Sequence, residues 1–361
     1  MKYILDNLFL SDSWFLHGRK AYFSTVFADC ILEADFDHNI VNMKGSYYNA
    51  GTYRMHPVCF VNCEKIYLLP DKSNDIIVFD MEGNVRKRIP IHNPTNARIG
   101  ARSYYISDST AWIICDGLSK LIEFDLCGDT ILDAYDLKRD EDDIILGSAW
   151  GVDNIFVLTS GNKVYTFDIL NRVVSSFRRV DTEDKLNTIG FDGQRLWFTG
   201  KKKKVYSQDW NGGMLHELNI LPNDFDVYDP GDDGVEHYIF CRVFVMNNRI
   251  WMMQYYGNMD LCIEIKDWRS RAFTVNMIKF PEPKCIRDYP LNVFLYIRDN
   301  RYIGKIVDPT CEVFEVDSMD LSSRLVPLAA DQSLNRKIML RVALREKEGY
   351  GVAEYLKDYL H

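Results

Sequence analysis

Six residues with the chemistry to grip an anion stand at or just before the starts of apolar runs: Arg54, His56, Arg98, Arg102, His237 and Arg287. A guanidinium presents its donors as a planar fork that matches two oxygens of a carboxylate or phosphate. An imidazole adds a donor, or a base that titrates near neutral pH. Tyr48, Tyr53 and Tyr289 lie nearby in the sequence and offer ring faces for stacking. Gathered on one concave surface, such a set would hold an anionic or saccharide ligand by charge-assisted bonds. Asp143, Asn187, Glu236 and Asp288 fall in the same stretches, and pairing with the acids among them is the competing use of the arginines. The same constellation supports a second expectation, a lyase or hydrolase acting on a saccharide, with His56 and His237 in acid–base roles beside rim Arg or Tyr residues.

Other chemistry is thin. The chain has no G-x-S-x-G, H-E-x-x-H, P-loop or dinucleotide fingerprint. Cys59 and Cys63 have no second Cys/His pair at zinc spacing. Nine cysteines, an odd number scattered over apolar runs, read for the most part as buried thiols of a reducing compartment, with Cys59 and Cys63 buried on one face of a strand. Residues 221–236 hold Asp224, Asp226, Asp229, Asp232 and Asp233 without the spacing of a calcium loop, so an exposed acidic loop is expected. The four lysines at 201–204 and the charged run at 138–143 read as solvated loops. No metal and no cofactor are expected.

The elements that must position these residues show themselves as a repeat. Residues 66–91 form the clearest unit: an apolar run, a polar turn, a second run, IIVF, closed by Asp80, then a tight turn and a third run. The same pattern aligns Asp35, Asp80, Asp125, Asp168, Asp209, Asp267 and Asp308, at spacings of 45, 45, 43, 41, 58 and 41 residues. Four short strands in about 40–45 residues is the period of a propeller blade. The Asp has a local reason for its place, since its carboxylate accepts backbone N–H bonds in a turn. It is therefore read as structural. Trp112, Trp197 and Trp251 occupy matching places in the second strands of three units and should be buried between blades. In the seventh unit the first strand is placed at residues 285–287, among Pro281, Pro283 and Pro290. Closing such units on one another buries faces that no single unit can bury alone.

This blade pattern, from about Ser13 to Asp317, resembles bacterial β-propellers of the broad WD-repeat, YVTN and quinoprotein-like group. The Gly-His and Trp-Asp dipeptides of WD repeats, an in-register Gly-Gly pair of kelch blades and the tryptophan-docking motif of quinone propellers are absent. The resemblance therefore implies a fold rather than a function. The expected architecture is an all-β, seven-bladed propeller of four-stranded antiparallel blades over residues 1–320. A short helical extension over residues 321–361 should pack against it. First strands would line a central channel, with Arg54, His56, Arg98, Arg102, His237 and Arg287 at its mouth.

The chain has 361 residues, 47% hydrophobic, with a net charge of −9. That excess of acid argues against nucleic acid as a partner. No run approaches the ~18 apolar residues of a membrane span, and the first residues, MKYILDNLFLSDSWF, do not form a secretory signal. The expectation is a cytoplasmic, non-enzymatic binding module, partnered by another protein or by an anionic or saccharide ligand at the channel mouth.

Overall fold

In the computed structural model the described residues are 10–25, 30–46, 58–69, 74–93, 99–137, 143–202, 204–219, 221, 240–254, 259–267, 272–279, 292–298, 301–308, 312–326, 329–330, 340, 343 and 347. They form seven antiparallel meanders, the blades of a β-propeller. Sheet 1 contains β1 (Leu10–His17), β2 (Lys20–Thr25), β3 (Cys30–Asp35) and β4 (Ile40–Ser46). Sheet 2 contains β5 (Val58–Asn62), β6 (Lys65–Leu69), β7 (Asp75–Asp80) and β8 (Val85–Pro90). Sheet 3 follows with β9 (Ala101–Ser107), β10 (Thr110–Cys115), β11 (Lys120–Asp125) and β12 (Thr130–Asp136). Sheet 4 is β13 (Ile145–Trp150), β14 (Asn154–Thr159), β15 (Lys163–Asp168) and β16 (Val173–Arg179). Sheet 5 is β17 (Leu186–Phe191), β18 (Arg195–Gly200), β19 (Val205–Asp209) and β20 (His216–Leu218). Sheet 6 is β21 (Phe240–Met246), β22 (Arg249–Gln254), β23 (Met259–Asp267) and β24 (Ala272–Lys279). Sheet 7 is β25 (Asn292–Arg298), β26 (Tyr302–Asp308), β27 (Glu312–Asp317) and β28 (Ser323–Val326). A last strand, β29 (Ala329–Ala330), lies parallel to β4 and makes sheet 1 five-stranded.

The seventh unit corrects the sequence reading by one strand. Asp308 ends β26, the second strand, and Asp317 is the true counterpart of Asp80. With the first strand expected at 285–287, the apolar run Val293–Ile297 falls to the second, whereas the structure makes it the core of β25, the first. The run FEVD at the end of β27 fits the pattern of VFD at the end of β7, while the decoy KIVD on β26 fits it equally well. Residues 285–287, with their flanking prolines, lie outside the described residues, as do Tyr3, Ile4 and Leu5. The expected helical extension over 321–361 starts too early: β28 and β29 fall inside it, and of its described residues Leu340, Ala343 and Lys347 are helical.

The chain divides into two compact units. One comprises Met1–Ala134, Phe294–Met319 and Arg324–His361, and so carries sheets 1, 2, 3 and most of 7. The other comprises Tyr135–Val293 with Asp320–Ser323, and carries sheets 4 to 6. Within each unit the core is interleaved between neighbouring sheets. Phe60, Tyr67, Ile113 and Phe124 fill the layer between sheets 2 and 3. Phe156, Leu196, Phe198 and Tyr206 fill the one between sheets 4 and 5, and Trp197, Phe240, Ile250 and Leu261 the one between sheets 5 and 6. The first strands approach closely: a Cβ on Gly190 of β17 would meet Val243 Cγ1 of β21 at 2.8 Å.

One register position recurs in every sheet. The third residue of the second strand is Tyr22, Tyr67, Trp112, Phe156, Trp197 and Trp251 in sheets 1 to 6, and Gly304 in sheet 7. All six aromatic residues are buried, including the three tryptophans expected there. Opposite them on the third strand stand Glu33, Val78, Glu123, Thr166, Ser207 and Cys262, with Glu315 opposite Gly304.

Candidate functional site

The six residues singled out for an anion site are not placed by the described structure. Arg54, His56, Arg98, His237 and Arg287 lie outside the described residues. Arg102 falls on β9, where the backbone is described and the side chain is not. Of the acids and amides in the same stretches, two are seen. Asp143 forms an ion pair with Lys163 at 2.6 Å, and the Asn187 side chain donates to the Phe240 carbonyl at 2.6 Å.

The repeated Asp is structural in five of the six described turns, and at the sixth Asp209 pairs with Arg195 at 2.9 Å instead. Asp35 accepts from the amides of Asp37 and His38, and Asp80 from that of Asn84. Asp125 accepts from Cys127 and Gly128, Asp168 from Asn171, and Asp317 from Met319. These bonds hold Asp80 and Asp168 below the usual carboxylate range. The turns they shape lock onto the outer strand of the preceding sheet. Gly83 sits at φ +89°, with its Cα so close to the Lys44 carbonyl that a Cβ would lie 1.2 Å from it. Lys87 Nζ donates to the carbonyls of Gly128 and Asp129 at 3.3 and 2.7 Å. Tyr67 donates to Asp129 at 2.6 Å and to the Leu126 carbonyl at 3.2 Å. In the second unit Arg178 Nη1 donates to the Trp210 carbonyl at 2.6 Å.

Cys30, Cys59, Cys115 and Cys262 are buried, whereas Cys63 and Cys127 lie in turns and are exposed, against the expectation that Cys59 and Cys63 share a buried face. Burial pushes Cys59, Cys115 and Cys262 up to about 12, which removes the thiolate at neutral pH. Among the described residues no group of three His, Cys, Asp or Glu is arranged to hold a metal ion, and no helix is long and apolar enough to cross a membrane. The lysine run sits between β18 and β19 as expected. Lys202 pairs with Glu183 and Lys204 with Glu217.

Sequence reasoning missed the buried glutamates. Glu33 is 2% exposed and accepts from Tyr22 at 2.7 Å and from Lys20 at 3.2 Å, with Lys44 at 3.4 Å. Burial works against the Lys20 charge, but Glu33 and Asp35 outweigh it and raise its pKa. Burial and the bond to Glu33 also raise Tyr22. Glu315 is forked by Arg324, Nε at 3.0 Å and Nη2 at 2.5 Å. The signal was present as E-x-D at the end of a third strand: Glu33–Asp35, Glu123–Asp125 and Glu315–Asp317.

Among the described residues, several exposed apolar side chains stand on sheets 4 and 5. The turn before β14 and the turn before β16 are joined by the Ile169 amide bonding to the Asp153 carbonyl, and they expose Val152 and Leu170. Trp210 packs near Phe156, ring centroids 6.3 Å apart, and is followed by exposed Met214. Along β16, Val173 and Phe177 are about half exposed, and Phe177 lies over Tyr165 at 5.0 Å. Arg178, the next residue along the strand, lies on the opposite face, where its Nη1 reaches the Trp210 carbonyl of sheet 5, and it is partly buried. Its Nε and Nη2 are buried without a hydrogen-bond partner, and burial lowers its pKa. Among the described residues no carboxylate pairs with it.

No protein-family model matches the sequence, and no curated protein matches it. Solved structures do. The chain is similar to BamB from Moraxella catarrhalis, with a TM-score of 0.54 and 10% identity over 85% of this chain and 84% of that one. It is similar also to a chain of the mitotic checkpoint complex, with a TM-score of 0.56 and 9% identity over 83% of this chain and 84% of that one. Both are propeller proteins. At such identity the likeness shows the fold, which agrees with the seven meanders.

Proposed function

We propose that this protein is a non-enzymatic propeller scaffold that holds a protein partner in the cytoplasm. The observation that carries this reading is the group of solvent-facing apolar side chains on sheets 4 and 5: Val152, Leu170, Trp210, Met214 and, along the edge, Val173 and Phe177. Apolar side chains gathered in one region of a soluble surface mark places where another macromolecule removes them from water. The protein chemistry around them supports the same reading, since the repeated carboxylates are engaged in turns and the buried thiols are held protonated. One structural neighbour belongs to a checkpoint complex, in keeping with this use of the fold. The set Arg54, His56, Arg98, Arg102, His237 and Arg287, at a channel mouth, enters the proposal as the place where an anionic or saccharide group would be held.

The test is site-specific photo-crosslinking in the native host, with the reactive residue at Leu170 or Met214 and, as a control, at Val85 on sheet 2. We expect one partner to be captured from the first two positions and lost when Leu170 is changed to Glu. Equal capture from Val85, or no captured protein, would overturn the reading. Turnover of a saccharide abolished by His56→Ala and His237→Ala would replace it with the lyase or hydrolase alternative.

A further inference from the structure

The outer strands of the sheets differ in how they treat their open edge. A strand at the edge of a sheet leaves alternate amides and carbonyls without a neighbour, and proteins blunt such edges by covering, charging or shortening them. The edge of β4 is covered by β29. That of β8 carries Arg86, Lys87 and Arg88 and ends at Pro90, which has no amide hydrogen to offer. β12 carries Asp133 and Asp136, while β20 and β28 are three and four residues long. β24 packs Phe273, Val275 and Met277 on the core and leaves Thr274 and Asn276 between them.

β16 differs from these in degree: among the described residues no strand covers it, and its charges, Arg178 and Arg179, sit at one end only. It has seven residues, VVSSFRR, with no proline and no acid, and it exposes Val173 and Phe177. Its register with β15 is regular from Ser176 to Arg179, before the irregularity at Thr166 and Phe167. Along that regular run lies Arg178, a cation partly removed from water with two nitrogens lacking acceptors. Burying a charge without a counter-charge is costly, and an acid brought by another chain would relieve it. Arg172, just before the strand, and Arg179, at its end, add positive charge.

We propose that β16 receives an extended segment of a protein partner, added to sheet 4 as a fifth strand, with acidic and apolar side chains alternating along it. This rests on the reading of the chain as a partner-holding scaffold, and it names the place and the chemistry. Main-chain bonds to residues 176–179 would supply affinity, Phe177 would supply apolar contact, and Arg178 with its arginine neighbours would select acid over base.

The test uses the full chain and two capped, fluorescently labelled peptides of about eight residues, long enough to span the strand. One alternates valine and glutamate, the other valine and lysine. The glutamate peptide should bind about tenfold tighter or better, lose affinity with added salt, and slow amide exchange on β16. Phe177→Lys and Arg178→Met should each weaken it about tenfold, while Leu132→Lys on β12 should not. Phe177 is 55% exposed, so that variant should fold even if Arg178→Met does not. Equal binding of the two peptides, no binding, protection on another edge, or indifference to Phe177→Lys would overturn the proposal. A partner cross-linked from Leu170 and retained in Phe177→Lys would overturn the edge assignment while leaving the scaffold reading intact.

Discussion

The two units satisfy the same register position with opposite chemistry. In the unit holding sheets 1, 2, 3 and most of 7, the third-strand residue opposite the aromatic position (Gly304 in sheet 7) is Glu33, Glu123 or Glu315, each no more than 3% exposed, with Val78 of sheet 2 the apolar exception. In the unit holding sheets 4 to 6 it is Thr166, Ser207 or Cys262, buried to the same degree. The backbone geometry is shared, so the difference lies in what each side chain demands. A buried carboxylate needs cations and donors, which Lys20, Lys44, Tyr22 and Arg324 supply. A buried hydroxyl or thiol needs little. The first unit thus ties part of its core to charge, and the second relies on shape.

Reliance on shape predicts the largest effect. Trp197 is fully buried, faces Gly190 on one side and Ser207 on the other, and donates Nε1–H to Asp192 at 2.8 Å. Neither small neighbour can fill the space it would leave. Trp197→Ala should cost about 3–5 kcal/mol in chemical denaturation. A denaturation midpoint equal to that of the parent would show that the second unit is not held by packing at this position.

Reliance on charge predicts a smaller but more specific loss. Glu33→Ala strips Tyr22, Lys20 and Lys44 of their shared acceptor and should cost about 2–3 kcal/mol, less than a fully buried pair because Lys20 remains 41% exposed. The matched change in the other unit, Ser207→Ala, removes a hydroxyl that has no hydrogen-bond partner and should stay within about 0.5 kcal/mol. Comparable losses at the two positions would erase the distinction between the units.

How much of this the sequence announced depended on whether the signal was local. The blade period, the Asp turns and the equivalence of Trp112, Trp197 and Trp251 are short-range patterns, and the structure bears them out. The seventh unit was misregistered because KIVD and FEVD carry the same local pattern, and only pairing distinguishes Asp308 from Asp317. The parallel strand at Ala329–Ala330 is two residues long and exists only through β4. Glu33, Glu123 and Glu315 escaped notice because a glutamate within a strand ordinarily reads as solvent-facing, and burial of both faces is a property of stacked sheets. The edge at β16 was hidden for a related reason: VVSSFRR resembles its neighbours until the other outer strands are compared with it. The rim residues, by contrast, were chosen on a shared place before first strands, and the side chains that would test that choice are not among those described.

Acid sharpens the comparison in a third way. Asp35, at the end of the strand bearing Glu33, works against burial, but bonds from the His38 ring and from the amides of His38 and Asp37 lower its carboxyl to about 2 from 3.8. A folded-state value below the unfolded one means that the stabilisation is present above pH 3.8 and is lost as pH falls through about 2. Asp35→Asn should lower stability at neutral pH by on the order of 1 kcal/mol, and should flatten its fall across that interval. An unchanged acid limb of the denaturation profile would remove Asp35 from the charge-dependent part of the first unit.

The smallest effect is expected where charge is most conspicuous. The second unit has a buried carboxylate of its own, Asp184, 2% exposed, beside the run of lysines at 201–204. It is held by amides: those of Lys201 and Lys202 donate to it at 3.0 to 3.2 Å, and Tyr206 adds its hydroxyl at 3.2 Å. The lysine side chains look elsewhere, Lys202 to a Glu183 that is 96% exposed and Lys204 to Glu217. Exposed pairs of this kind contribute little, because water screens them and ordering two long side chains opposes them. Lys202→Ala and Lys204→Ala should therefore each shift stability by no more than about 0.5 kcal/mol, with little dependence on salt. Lys44→Met, which takes a cation from Glu33 in the first unit, should cost more and respond to salt. If the lysines of the second unit proved the costlier to remove, the amide network would not be what holds Asp184, and the two units would meet buried charge in the same way.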